Sequence, residues 1–130
     1  MTKGPLPLSF HAALELPVAL VFVVAPFILG FDDDTAKTLS IVVGIAVVGL
    51  FATTAWRPAP LKIVPVVGHA VADFAVGALL VVAPFLFDFD ADSTATVFFI
   101  VMGAILIVVT AATRFDPNDP FAARTDAVRH

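Results

Sequence analysis

Four long apolar blocks, separated by short charged segments, restrict this chain more than any other feature of its sequence. Residues 38–56 and 93–113 contain no charged side chain. Residues 9–31 carry only His11 and Glu15 as ionisable groups, and residues 63–87 only His69 and Asp73. At 1.5 Å per residue, a helix of about 20 residues crosses the ~30 Å hydrocarbon layer of a bilayer. The chain is 60% hydrophobic and 14% charged, against about 45–50% and about 25% in soluble domains. With 130 residues in all, too little other material remains to bury four such helices in water. The expected fold is an all-α integral membrane protein with four transmembrane helices. The absence of cysteine excludes a disulfide framework, a zinc finger and a thiol redox enzyme. A net charge of −4 excludes electrostatic binding of nucleic acid.

The chain also repeats itself. A shift of 58 residues places His11 on His69, Glu15 on Asp73, and Val23-Val24-Ala25-Pro26-Phe27 on Val81-Val82-Ala83-Pro84-Phe85. Phe31 and Asp32 then fall on Phe89 and Asp90, Asp34 on Asp92, and Thr38 on Thr96. From His11 to Ala46 no gap is needed, and 14 of 36 positions are identical. Lys3 ahead of an apolar stretch imitates a signal peptide, but a segment copied into the middle of the chain is expected to belong to the fold. The repeating unit is a helical hairpin.

Basic residues orient the hairpins. Lys3, Arg57, Lys62, Arg114, Arg124 and Arg129 lie in the N-terminal arm, the central connection and the tail. The other two loops hold Asp32, Asp33, Asp34, Asp88, Asp90 and Asp92, with Lys37 as their one basic residue. The positive-inside rule puts both termini in the cytoplasm and both acidic loops outside. The expected organisation is a cytoplasmic arm at 1–8, a first hairpin at 9–56 with spans near 9–31 and 36–56, and a cytoplasmic linker at 57–62. A second hairpin at 63–113 follows, with spans near 63–87 and 93–113, then a cytoplasmic tail at 114–130. Hairpins entering from one side imply a pseudo-twofold axis along the membrane normal, that is, parallel repeats. Trp56 suits the lipid interface, and Pro58 and Pro60 stop the helix before it. Asp119-Pro120 resembles a helix start, so residues 120–129 are expected to form a short surface helix or an unstructured tail.

The segment Ala25-Pro26-Phe27-Ile28-Leu29-Gly30-Phe31 resembles the signature of the SPW-repeat family of small prokaryotic integral membrane proteins, which reads Ser-Pro-Trp, two variable residues, then Gly-Phe. Pro26, Gly30 and Phe31 match, while Ala25 and Phe27 replace Ser and Trp. The second copy, Ala83-Pro84-Phe85-Leu86-Phe87-Asp88-Phe89, keeps Pro84 and Phe89. The resemblance implies a four-helix, two-copy membrane architecture and no particular activity. Physically the motif reads as a helix exit. Proline removes a donor near the end of the span, Gly30 permits a turn, and Phe31 and Phe89 are expected at headgroup level.

The spans carry two pairs of ionisable residues, His11 with Glu15 and His69 with Asp73, each at i and i+4 on one helix face. One turn further on stand Ala19 and Gly77, small enough for close helix approach. The histidines fall near the cytoplasmic boundary and the carboxylates one turn deeper. A charge at the bilayer centre costs about 2.5–3.5 kcal/mol on insertion scales, so such groups face the bundle interior or water. The symmetry of the repeats would bring the two pairs into one cluster. Three readings stay open: a polar clasp locking the repeats together, a divalent-metal or haem site, and a proton or cation path. The Glu-x-x-His spacing of bundle di-metal centres is absent.

The acidic run 88–93 alternates like a calcium loop, but Ser93 and Phe99 stand where an EF-hand needs Gly and Glu. Small-residue stripes at Ala46, Gly49 and Thr53, and at Gly68, Ala72 and Ala75, are expected to serve helix contacts within the bundle or between copies. Nothing resembles a nucleophile elbow, a phosphate loop or a dinucleotide fingerprint. The expected protein is therefore not an enzyme. It is a structural or accessory protein of the inner membrane, in contact with lipid and associating with itself or with other membrane subunits. The alternative is a metal-binding, haem-binding or conducting protein using His11, Glu15, His69 and Asp73.

Overall fold

The computed structural model of the protein describes residues 4–122. It contains four helices: α1 (Leu8–Ile28), α2 (Asp34–Thr53), α3 (Val66–Leu86) and α4 (Ser93–Ala112). All four are long and apolar enough to cross a membrane. Their outer faces expose Leu20, Phe27, Ile45, Val71, Phe85, Val97 and Val108, a surface that lipid solvates and water does not. This is a multi-pass membrane protein.

Each hairpin starts and stops by the same local chemistry. Chain entering α1 and α3 passes through Pro7 and Pro65, whose missing N–H costs a helix N-terminus nothing. α2 and α4 are capped by Asp33 and Asp92, whose carboxylates accept the N–H of Ala36 at 3.0 Å and of Ala95 at 3.2 Å. The second oxygen of Asp92 also accepts the N–H of Asp32 at 2.8 Å and of Asp33 at 3.1 Å, tying one acidic loop to the other. Burial alone would raise the Asp92 pKa, but these N–H donors hold it below the usual carboxylate value.

The Pro-x-x-x-Gly-Phe motif is a Schellman turn. Gly30 takes φ +71° and the Phe31 N–H reaches back to Pro26 O at 3.0 Å. In the second copy Asp88 takes φ +63° and the Phe89 N–H bonds Pro84 O at 2.9 Å. Phe31 and Phe89 follow the ends of α1 and α3, beside the acidic loops, and their rings face the core instead of lipid. The reversal turns both rings inward, where they are 3% and 1% exposed, with centroids 6.4 and 4.9 Å from that of Phe99. A left-handed residue costs roughly 1–2 kcal/mol unless it is glycine, with Asp and Asn partly tolerated. Gly30→Ala should therefore destabilise the protein by about 1–2 kcal/mol, although no atom lies within 4 Å of the added methyl. Asp88→Gly should be neutral or stabilising. Chemical unfolding in mixed micelles reads both. Equal effects of the two changes would refute the turn assignment.

Two further expectations are corrected. The ungapped 58-residue shift holds for α1 and α3 only, because the second loop (87–92) is one residue longer than the first (29–33). The equivalent caps are Asp33 and Asp92, and Gly44 corresponds to Gly103. The small-residue stripes, expected to serve contacts within the bundle or between copies, do not make the close contacts inside it. Ala46 and Gly49 are exposed, Gly49 has nothing within 4 Å of a built Cβ, and Ala75 also faces out. Close approach occurs instead at Gly44, whose Cβ would sit 2.7 Å from Ala19 O, and at Gly103, 2.7 Å from Gly77 O.

At the opposite end from the acidic loops, the chain closes under the bundle. Leu6 pairs with Thr113, and Val64 with Thr54, through short parallel bridges. Trp56 pairs with Ala122, and the Arg57 guanidinium donates to Pro120 O at 2.8 Å. Trp56 is 0% exposed, so it is a core residue here and not an interfacial anchor. Residues 117–121 form turns. The remainder of the expected surface helix, 123–129, lies outside the described residues, as do Lys3, Arg124 and Arg129.

Candidate functional site

The first two turns of α1 and α3 meet at this closed end and bring His11, Glu15, His69 and Asp73 into one group. They are 3%, 6%, 0% and 4% exposed. The i,i+4 spacing suggested pairs within each helix, but the shorter bonds run between hairpins. His11 Nε2 lies 2.8 Å from Asp73 Oδ2, and His69 Nε2 2.5 Å from Glu15 Oε1. The same-helix contacts are 3.3 Å for His11–Glu15 and 3.0 Å for His69–Asp73. Nitrogen and oxygen thus alternate around a four-membered ring.

Two threonines that the sequence reading did not select fix the imidazoles. Thr54 Oγ1 lies 2.5 Å from Leu50 O and 2.7 Å from His69 Nδ1. Thr113 Oγ1 lies 2.7 Å from Val109 O and 3.1 Å from His11 Nδ1. A hydroxyl has one proton to give, and two oxygens so close need it between them. Each threonine therefore donates to its helix carbonyl and accepts from the histidine. Both imidazoles carry hydrogen on Nδ1, and both turn Nε2 to the centre of the ring. Trp56 packs on His69 with ring centroids 4.6 Å apart, and Phe115 on His11 at 5.0 Å, sealing the group from the closed end of the bundle.

This tautomer sets the charge. With Nδ1–H engaged, each short Nε2···O contact needs its own proton, held by either nitrogen or carboxyl. Two protons make the ring neutral overall, as one divalent cation would. A neutral total is what a site of low dielectric requires. Beside the ring lies a cavity of about 70 Å³, lined by apolar residues including Val18, Phe22, Val47, Leu80 and Met102, with His11, Glu15 and Asp73 as its polar part. The donor set fits a small ion. It does not fit a haem, whose porphyrin would have to lie between the two Nε2 atoms, where the Glu15 and Asp73 oxygens sit.

The motif residues Pro26, Gly30, Phe31, Pro84 and Phe89 lie at the far ends of α1 and α3 and take no part in this group. A signal for Thr54 and Thr113 does exist. They are related by 59 residues, as are Trp56 and Phe115, but the 58-residue register sets Thr54 against Ala112 and hides the match.

The SPW repeat domain matches residues 9–113, and the chain belongs to that family of repeat-containing membrane proteins. Comparison with curated proteins and with solved structures gave no match.

Proposed function

We propose that this protein is a non-enzymatic structural or accessory component of the inner membrane, in which the buried ring clasps two hairpins into one unit. The observation that carries this reading is the crossed pairing, in which each imidazole bonds the carboxylate of the other hairpin at 2.8 and 2.5 Å. A closed ring with its own hydrogen-bond partners favours a clasp over a proton or cation path, which needs ionisable groups open to water.

A pseudo-twofold axis along the membrane normal is supported by matched contacts. His11–Asp73 mirrors His69–Glu15, His11–Thr113 mirrors His69–Thr54, and the Leu6–Thr113 bridge mirrors Val64–Thr54. The distribution of basic residues supports cytoplasmic termini and linker, with the acidic loops outside. The exposed Ala46 and Gly49, small residues on a lipid-facing helix, support self-association or docking with other membrane subunits.

The chain has no cysteine, so single cysteines report cleanly. With an impermeant maleimide, Ala91→Cys should label in intact cells and Leu61→Cys only in inverted vesicles. The detergent-purified protein should either have a protein mass of at least twice 13.6 kDa made of this chain alone, or carry a co-purifying subunit. Reversed labelling would overturn the orientation, and a monomer with no co-purifying subunit would overturn the assembly reading.

A further inference from the structure

We infer that the ring is a mononuclear binding site for a divalent first-row metal of the Zn²⁺ class. His11 and His69 would ligate through Nε2, and Glu15 and Asp73 through one oxygen each. This goes beyond the clasp reading, which stands whether or not an ion binds.

Geometry makes the first argument. One ligand atom from each of the four residues lies within 4.8 Å of all the others. A tetrahedral ion with bonds of about 2.0–2.1 Å sets its donors about 3.4 Å apart. The ring edges of 2.5, 2.8, 3.0 and 3.3 Å need to open by about 0.1 to 0.9 Å, and the cross-ring distances, which are at most 4.8 Å, need to close toward the same value.

The second argument is orientation. A ligating imidazole characteristically donates its other N–H to a fixed acceptor, which sets both tautomer and ring plane. Here both do so, to threonines that are themselves locked on helix carbonyls. A clasp alone does not require the same arrangement twice. From α2 and α4 the polar side chains that reach the imidazoles are Thr54 and Thr113, and neither titrates.

Charge and donor type select the ion. Two carboxylates match a divalent cation, and two imidazoles disfavour Ca²⁺ and Mg²⁺, which prefer oxygen alone. Among the described residues no further His, Cys, Asp or Glu joins the group, so it holds one ion and not two. Four protein ligands with apolar walls make a closed site, structural and not catalytic.

The test uses the full chain in detergent, produced in zinc-supplemented cells and purified without chelator. Elemental analysis should find one Zn²⁺ per chain. After chelator stripping, competition against a chromophoric indicator should show Thr54→Val and Thr113→Val each weakening Zn²⁺ affinity 10- to 100-fold. Both variants should keep the wild-type circular dichroism. Co²⁺ in place of Zn²⁺ should give the intense absorption of a tetrahedral centre. Protein that is folded but holds well below one metal per chain, before and after reloading, would overturn the inference. So would undiminished affinity in His11→Gln/His69→Gln, which would place the ion on the acidic loops.

Discussion

Asp73→Ala should destabilise the protein by about 3–5 kcal/mol, the largest effect of any single change outside the aromatic core. Asp73 is 4% exposed and bonds His11 at 2.8 Å and His69 at 3.0 Å. Its removal leaves two buried imidazoles facing one carboxylate, and breaking a buried ionic group by deleting one partner costs that much. His69→Ala should cost a similar amount, since it leaves Glu15 with only its longer 3.3 Å contact to His11 and empties the space beneath Trp56. Replacing all four ring residues together by apolar residues of similar volume should recover most of the loss, because the desolvation penalty disappears with the charges. Denaturation in mixed micelles reads each variant. A loss below about 1 kcal/mol for Asp73→Ala would mean that water reaches the site and solvates the survivors.

Gly44→Ala and Gly103→Ala come next, each expected to cost about 1–3 kcal/mol through overpacking. A methyl on Gly44 would sit 2.7 Å from Ala19 O and 2.7 Å from Val23 Cγ2; on Gly103 it would sit 2.7 Å from Gly77 O. At each position one of the nearest atoms is a backbone carbonyl oxygen of the facing helix, so side-chain adjustment alone does not relieve the contact and the helices of a hairpin must separate. Gly49→Ala is the contrasting case. Gly49 meets nothing within 4 Å, so the higher helix propensity of alanine should leave it neutral or up to about 1 kcal/mol more stable. Opposite signs at Gly44 and Gly49 would establish which face of α2 is buried. Equal signs would mean the helix is rotated from the position described.

That pair also shows where sequence stops being informative. The four helices and the two His/carboxylate pairs were legible, because a charge among lipid-solvated residues stands out and a duplicated one stands out twice. The inward faces were not. A helix that is apolar all round has no amphipathic stripe to mark its buried side, so Gly44 and Gly49 read alike, and only packing separates them. Phe31 and Phe89 stand beside an acidic loop in the linear pattern, which does not show which way their rings face. The left-handed residues Gly30 and Asp88 turn them back into the core. Thr54 and Thr113 escaped notice for two reasons. Threonine near a helix end is common, and one extra residue in the second acidic loop shifts the register that would have paired them. Their role emerges only when the short bridges Leu6–Thr113 and Val64–Thr54 set each threonine against a histidine.

The clasp between hairpins is tested most directly by a double-mutant cycle on Glu15 and His69, which lie 2.5 Å apart on different hairpins. Glu15→Ala, His69→Ala and the double variant are unfolded in the same micelles, and the interaction energy is taken from the difference. A coupling of about 2–3 kcal/mol is expected for a buried, hydrogen-bonded pair in one network. A coupling within about 0.5 kcal/mol of zero, the range of independent sites, would contradict the clasp.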